Sequence, residues 1–167
     1  MIKILSEKLP RILKNKKKLE QTLNVKISNR GKEVYIEGEA ENEFITEKVV
    51  EALNFGFPFS TALILKDGET MFETINIKDH TNRKDLERIR ARIIGTKGKT
   101  LKTLTSLTKC AFELKDNEVG IIGDPEYIES AQEAIISIIK GSKQSNVYSH
   151  LEKHQYKNPI DLGLKKQ

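Results

Sequence analysis

The chain has 167 residues, 37% of them hydrophobic and 32% charged, with a formal net charge of +5 at neutral pH, which suits one domain or two small ones. No apolar run approaches the roughly 20 residues that cross a bilayer, and the N-terminus turns lysine-rich without the apolar core of a signal peptide, so a cytoplasmic protein without membrane attachment is expected. The single cysteine, Cys110, excludes an intrachain disulfide and a cysteine-based zinc site, and its apolar surroundings point to a buried thiol.

In chain order, a first strand is expected at about Lys3 to Leu5. A basic helical stretch follows, in which Lys8, Arg11, Lys14, Lys16, Lys17 and Lys18 stand with no acid among them. Alternating strands read at Val25-Lys-Ile27 and Val34-Tyr-Ile-Glu-Gly38, then a helix with Ile45, Val49 and Leu53 on one face. This part is acidic: Glu33, Glu37, Glu39, Glu41, Glu43, Glu47 and Glu51 face only Lys48. Asn54 to Asp67, with Gly56, Pro58 and the apolar run Ala62 to Leu65, reads as a connecting turn and a short helix packed at a junction.

The same order then recurs. Phe72 to Ile77 is a strand, and Leu86, Ile89, Ile93 and Ile94 recur at helical steps before Gly95, as Leu101, Leu104 and Leu107 do after Gly98. Phe112-Glu-Leu114 and Val119-Gly-Ile-Ile-Gly123 are strands, and Ile128, Ala131, Ile135 and Ile139 share a helix face. Val119 stands 85 residues after Val34. The order strand, helix, helix, strand, strand, helix therefore occurs twice, each time as a three-stranded sheet covered on one face by three helices. Val147 to Gln155 reads as a further short helix, and the last residues, with Asn158-Pro159 and Lys165-Lys166, as a frayed end.

The junction Gly95-Thr-Lys-Gly98 carries the chemistry. Glycine lets backbone approach backbone and adopts dihedrals other residues avoid, while the first N–H groups of the following helix lack intrahelical partners. Such a junction suits an anion, and the charge agrees: Arg83 to Lys109 holds nine basic residues against Asp85 and Glu87. The junction resembles the GxxG loop of the KH module, which clamps a few nucleotides of a single strand. On that reading Gly95, Thr96, Lys97 and Gly98 contact the sugar-phosphate chain, and Lys99 and Lys102 hold flanking phosphates. Arg88 and Arg92 share a helix face and Arg90 points elsewhere; each guanidinium can fork onto phosphate or stack on a base. Ile94 and Leu101 either floor the base groove or simply pack in the core, and base edges meet the neighbouring strand around Ala111 to Glu113. In the first copy the equivalent place, Leu13-Lys-Asn-Lys-Lys-Lys18, has no glycine; Lys14, Lys16, Lys17 and Lys18 are either a secondary RNA contact or a solvated face.

Beyond the loop, Asp85-Leu-Glu-Arg-Ile-Arg-Ala-Arg-Ile-Ile-Gly-Thr-Lys-Gly-Lys-Thr, Val119-Gly-Ile-Ile-Gly-Asp124 and Val147-Tyr-Ser-His-Leu-Glu-Lys-His154 resemble the partner-of-Nob-one family of KH proteins. The likeness spans roughly residues 70 to 157 and is nearer to the archaeal type. It implies an α/β (α+β) protein of two tandem type I KH domains: a degenerate domain without GxxG and a connecting segment over 1–68, a domain with GxxG over 69–157, and a flexible tail over 158–167. It also implies small ribosomal subunit assembly, binding near the 3′ end of the small-subunit rRNA, and contact with the maturation nuclease and the alpha subunit of translation initiation factor two. A monomer is expected, since the duplication supplies a pseudo-dimer. The glycine-free first loop departs from the archaeal pattern.

Enzymatic alternatives fit less well. Gly98-Lys99-Thr100 matches the end of a phosphate-binding P-loop, but the position that needs the first glycine is Ile93, and a helix rather than a strand leads in. His150 and His154 share a helix face without a third ligand. No catalytic residue, metal or cofactor is expected. The alternative is a KH-type RNA-binding or protein adaptor in translation initiation or RNA decay; the acidic segment Glu39 to Glu51 either meets a basic partner or is a solvated helix face.

Overall fold

The computed structural model describes residues 1–156, and the tail expected over 158–167 lies outside the described residues. The first half runs β1 (Ile2–Leu5), α1 (Leu9–Lys14), α2 (Lys16–Leu23), β2 (Val25–Arg30), β3 (Glu33–Gly38) and α3 (Ala40–Phe55). A short helix α4 (Phe59–Ala62) and a 3-10 turn over Leu63–Asp67 form the expected connection. The second half runs β4 (Met71–Asn76), a 3-10 turn over Ile77–His80, α5 (Leu86–Ile94), α6 (Lys99–Thr108), β5 (Ala111–Lys115), β6 (Glu118–Gly123) and α7 (Pro125–Ile139), with α8 (Gln144–Tyr156) added. Both sheets are antiparallel, ordered β1-β3-β2 and β4-β6-β5. The duplication and the two KH-type sheets are thus as expected. The last helix begins earlier than the sequence reading placed it.

Each sheet buries one face under its helices. In the first half Val34 and Ile36 alternate with half-exposed or exposed neighbours along β3, and they pack with Ile12, Leu19, Val49 and Leu53. The open face of β3 is polar: the Tyr35 hydroxyl donates to Glu33 Oε2 at 2.5 Å, which holds that carboxyl below its usual range. Strand β6 does not alternate. Val119 through Gly123 are buried without interruption, the signature of a strand covered on both faces. Val119 and Ile121 join the core with Ile89, Ile93, Leu104 and Ile135, whereas Ile122 belongs to the core of the first half.

The second cover on β6 is the first half itself. Phe55, at the end of α3, and Phe57 stack at a centroid distance of 5.8 Å, and Phe72 of β4 meets both edge-on at 5.7 Å. These rings lie against Gly120. A Cβ there would fall 2.6 Å from Phe55 Cε1 and 2.9 Å from Phe57 Cε2, so the glycine serves packing rather than a turn. Polar contacts fasten the rim. Within the first half Arg11 donates to the carbonyl oxygens of Leu53 and Phe57, at 3.5 and 3.0 Å, fixing the ring-bearing segment, and across the seam Lys115 pairs with Glu7 at 3.3 Å. The two halves therefore share an apolar seam, with the helices of the second half on the far side of its sheet.

Candidate nucleic-acid interface

Helix α5 starts where Asp85 caps it, its carboxylate accepting the Arg88 N–H at 3.4 Å, and it docks through Ile89 and Ile93, both buried. It stops at Gly95, whose N–H still reaches the Ala91 carbonyl at 2.8 Å. Gly95 has φ +77° and ψ 169°, a region essentially closed to other residues. A Cβ on Gly95 would also lie 2.6 Å from the backbone nitrogen of Thr100 and in collision with its Oγ1. Hydrogen alone lets the first turn of α6 come so near.

The chain then turns through two successive left-handed residues, Lys97 at φ 57° and Gly98 at φ 75°, and Gly98 N–H closes the turn on the Gly95 carbonyl at 3.1 Å. No side chain caps α6. The Lys99 N–H is taken by the Thr96 carbonyl, while the positive end of the helix dipole lies at the loop, with Thr96, Lys97, Lys99 and Lys102 exposed around it. The geometry suits a phosphate.

The two flanks of α5 differ. Ile94, 38% exposed, and Arg90, half-buried, share one flank, with Leu101 half-buried on α6. Arg90 donates to Asp116 O and Asn117 Oδ1 at 3.2 and 3.3 Å and lies 3.8 Å from Glu87, which ties α5 to the β5–β6 turn. On the other flank Arg88 is exposed. Arg92 donates to the carbonyls of Ile138 at 2.7 Å and Ser142 at 2.5 Å. Its guanidinium closes the C-terminus of α7, a task invisible in helical spacing.

Strand β5 is the outer strand of its sheet, so its free main-chain edge can meet a base. Its side chains at Ala111 and Glu113 turn toward the first half. Ala111 packs into the core of the first half, and Glu113 faces Lys8 and Arg11, with burial raising its carboxyl against the pull of those cations.

The corresponding place in the first half has no loop. Helices α1 and α2 meet at the single residue Asn15, whose amide donates to the Arg11 carbonyl at 2.8 Å. Lys14, Lys17 and Lys18 are exposed and Lys16 is half-buried, with Lys18 Nζ 5.9 Å from the centre of the Phe59 ring. These are cations on a surface without a backbone cradle. The acidic stretch is also less open than its composition suggests: Glu43 is buried, accepting the Gly38 N–H at 3.0 Å and lying 3.1 Å from the terminal ammonium. Cys110 is buried, and loss of solvation pushes its thiol up to about 11. Among the described residues no group of three His, Cys, Asp or Glu side chains could hold a metal ion, and no helix is long and apolar enough to cross a membrane.

Known proteins match this architecture. The family model for the second KH domain of PNO1, described as a eukaryotic-type KH domain (KH-domain type I), covers residues 71–156. A KH domain-containing protein of Methanocaldococcus jannaschii is 31% identical over 110 residues, 65% of this chain and 48% of its own. The pre-rRNA-processing protein PNO1 of Debaryomyces hansenii is 33% identical over 105 residues, 61% of this chain and 41% of its own. The matched part of the chain thus spans less than half the length of these two relatives. A chain in the crystal structure of the a/eIF2alpha-aDim2p-rRNA complex from Pyrococcus horikoshii superposes with a TM-score of 0.84 at 27% identity, covering 93% of each chain.

Proposed function

The chain belongs to the PNO1 family of KH-domain proteins, and from that premise we propose that it is an RNA-binding factor of small ribosomal subunit assembly. It grips single-stranded rRNA near the 3′ end of the small-subunit RNA through Gly95–Gly98, in a KH domain over 69–157, while the domain over 1–68 acts as a protein scaffold. The observation that carries this reading is the uncapped start of α6, opened by two left-handed residues and ringed by Lys97, Lys99 and Lys102. An anion placed there gains the positive end of the helix dipole and several cations together.

The roles divide by geometry. Gly95 and Gly98 shape the cradle, Thr96 and Lys97 project from it, and Lys99 and Lys102 neutralise neighbouring phosphates. Ile94 and Leu101 support the bases. Arg90 and Arg92, fastened to carbonyl oxygens, shape the two walls, leaving Arg88 as the mobile cation. The names of the relatives support a role in pre-rRNA processing by binding rather than catalysis, and the complex from Pyrococcus horikoshii supports rRNA and an initiation-factor alpha subunit as partners. Contact with the maturation nuclease and a cytoplasmic location rest on the family likeness.

Fluorescence anisotropy on a single-stranded RNA matching the small-subunit rRNA 3′ end, beside a scrambled RNA, tests the reading. The double variant Thr96→Asp with Lys97→Asp keeps its cooperative melt, because both residues are exposed, and binds the native RNA at least roughly tenfold more weakly by placing like charge at the phosphates. Equal binding of both RNAs by both proteins would remove the loop as the site.

A further inference from the structure

We propose that the cleft on the Arg88 flank of the glycine loop, walled by α5, α6 and α8, is a second nucleotide subsite, in which Tyr148 stacks on a base while Arg88 and Lys99 hold its phosphate. This rests on the reading of Gly95–Gly98 as the RNA clamp and extends it to the nucleotide that leaves the clamp on this side. The cleft has a volume of about 470 Å³, within the range of small-ligand sites. Its wall includes Arg88, Thr96, Lys99, Thr103, Gln144 and Tyr148, and no carboxylate. Three other clefts each carry at least one: Glu133 in one, Glu7, Asp116 and Glu118 in another, Asp124 in a third. A cavity bounded by cations, hydroxyls and one aromatic ring, free of acids, fits a nucleotide better than a peptide of either charge.

The wall is built rather than incidental. Helix α8 buries Val147 and Leu151 in the core of the second half, and Gln144 Nε2 donates to the Arg92 carbonyl at 3.5 Å. The Arg92 guanidinium, fixed by Ile138 and Ser142, sets a positive charge in the same wall and keeps further N–H donors. Tyr148, one turn after Gln144, is thereby set beside the loop while remaining half-buried. Continuity with the clamp is direct, since Gly95, Thr96 and Lys99 belong to both. A strand crossing the loop meets this cleft without leaving the protein surface.

RNA length separates the subsite from the clamp. With the full chain, anisotropy is measured on a tetranucleotide and an octanucleotide from the small-subunit rRNA 3′ end, the octanucleotide carrying 2-aminopurine at each flanking position in turn. Tyr148→Leu is expected to cost about tenfold on the octanucleotide, the scale of one lost base–aromatic stack, with an effect that grows with RNA length. Tyr148→Phe retains parent affinity, Arg88→Gln weakens the octanucleotide, and one 2-aminopurine position is quenched by the parent and not by Tyr148→Leu. Octanucleotide affinity unchanged in Tyr148→Leu, with no position quenched, would overturn the proposal. If Tyr148→Leu fails to fold, the quenching map on the parent and Arg88→Gln decide it. Failure of the clamp itself has a different signature, namely tetranucleotide binding indifferent to Thr96→Asp with Lys97→Asp. Competition of the octanucleotide by a peptide alone, with no quenching, would assign the cleft to a protein.

Discussion

Alanine at Gly95 and alanine at Gly98 are chemically the same change, yet the structure gives them different costs. At Gly98, φ is +75° and nothing lies within 4 Å of the added Cβ, so the variant bears only the left-handed penalty of about 1 kcal/mol. At Gly95, φ +77° with ψ 169° adds strain of roughly 1–3 kcal/mol. The new Cβ also meets the Thr100 nitrogen at 2.6 Å, and such overpacking costs about another 1–3 kcal/mol. Because that neighbour is main chain in the first turn of α6, relief requires moving the helix. Gly95→Ala is thus expected to be less stable than Gly98→Ala by about 2–3 kcal/mol. For a chain of this size, a loss near 3–4 kcal/mol lowers the melting temperature by about 10 °C, against about 3 °C for Gly98→Ala. Urea titration and thermal melts of both variants supply the comparison. Equal losses would mean that the glycines are there for dihedral freedom alone, and that Gly95 does not hold α6 against α5.

Other consequences can be measured in parallel. Gly120→Ala drives a methyl into Phe55 and Phe57 and is expected to cost about 1–3 kcal/mol in urea titration; no loss would mean that the aromatic seam is slack. Cys110, buried with its thiol raised to about 11, should react with a thiol reagent only on unfolding, and fast labelling of the native protein would contradict its placement. Burial raises the Glu113 carboxyl above its unfolded value, so the folded state binds the proton more tightly and stability falls as pH climbs through that window. Glu113→Gln is therefore expected to gain on the parent as pH rises through and above the ordinary carboxylate range, and a relative loss would show that attraction to Lys8 and Arg11 outweighs burial.

The duplication and the glycine loop were legible because both are local. Apolar periodicity identified the helices around Gly95–Gly98, and the core residues Ile89, Ile93, Leu104, Ile128, Ala131, Ile135 and Ile139 are all buried. What escaped depends on contacts distant in the chain. Spacing placed Arg92 beside Arg88, yet its partners lie 46 and 50 residues away. The side chains of Ala111 and Glu113 turn toward the first half because its aromatic rings cover that face of β6. One signal for this was present: Val-Gly-Ile-Ile-Gly is apolar without alternation, unlike Val-Tyr-Ile-Glu-Gly in the first copy, and an unbroken run marks a strand buried on both sides. The placement of Tyr148 beside the loop escaped for the same reason, since α8 is set there by Gln144, whose partner, the Arg92 carbonyl, lies 52 residues away.

The most direct test of RNA binding at the glycine loop is amide chemical-shift mapping of the isotopically labelled chain during titration with single-stranded RNA from the small-subunit rRNA 3′ end. The account predicts shifts concentrated at Ile94 to Lys102 and along the free edge of Ala111 to Leu114, with the Asn15 junction silent. Shifts confined to Lys14–Lys18 or to the acidic helix α3, with Gly95–Gly98 unmoved, would contradict it.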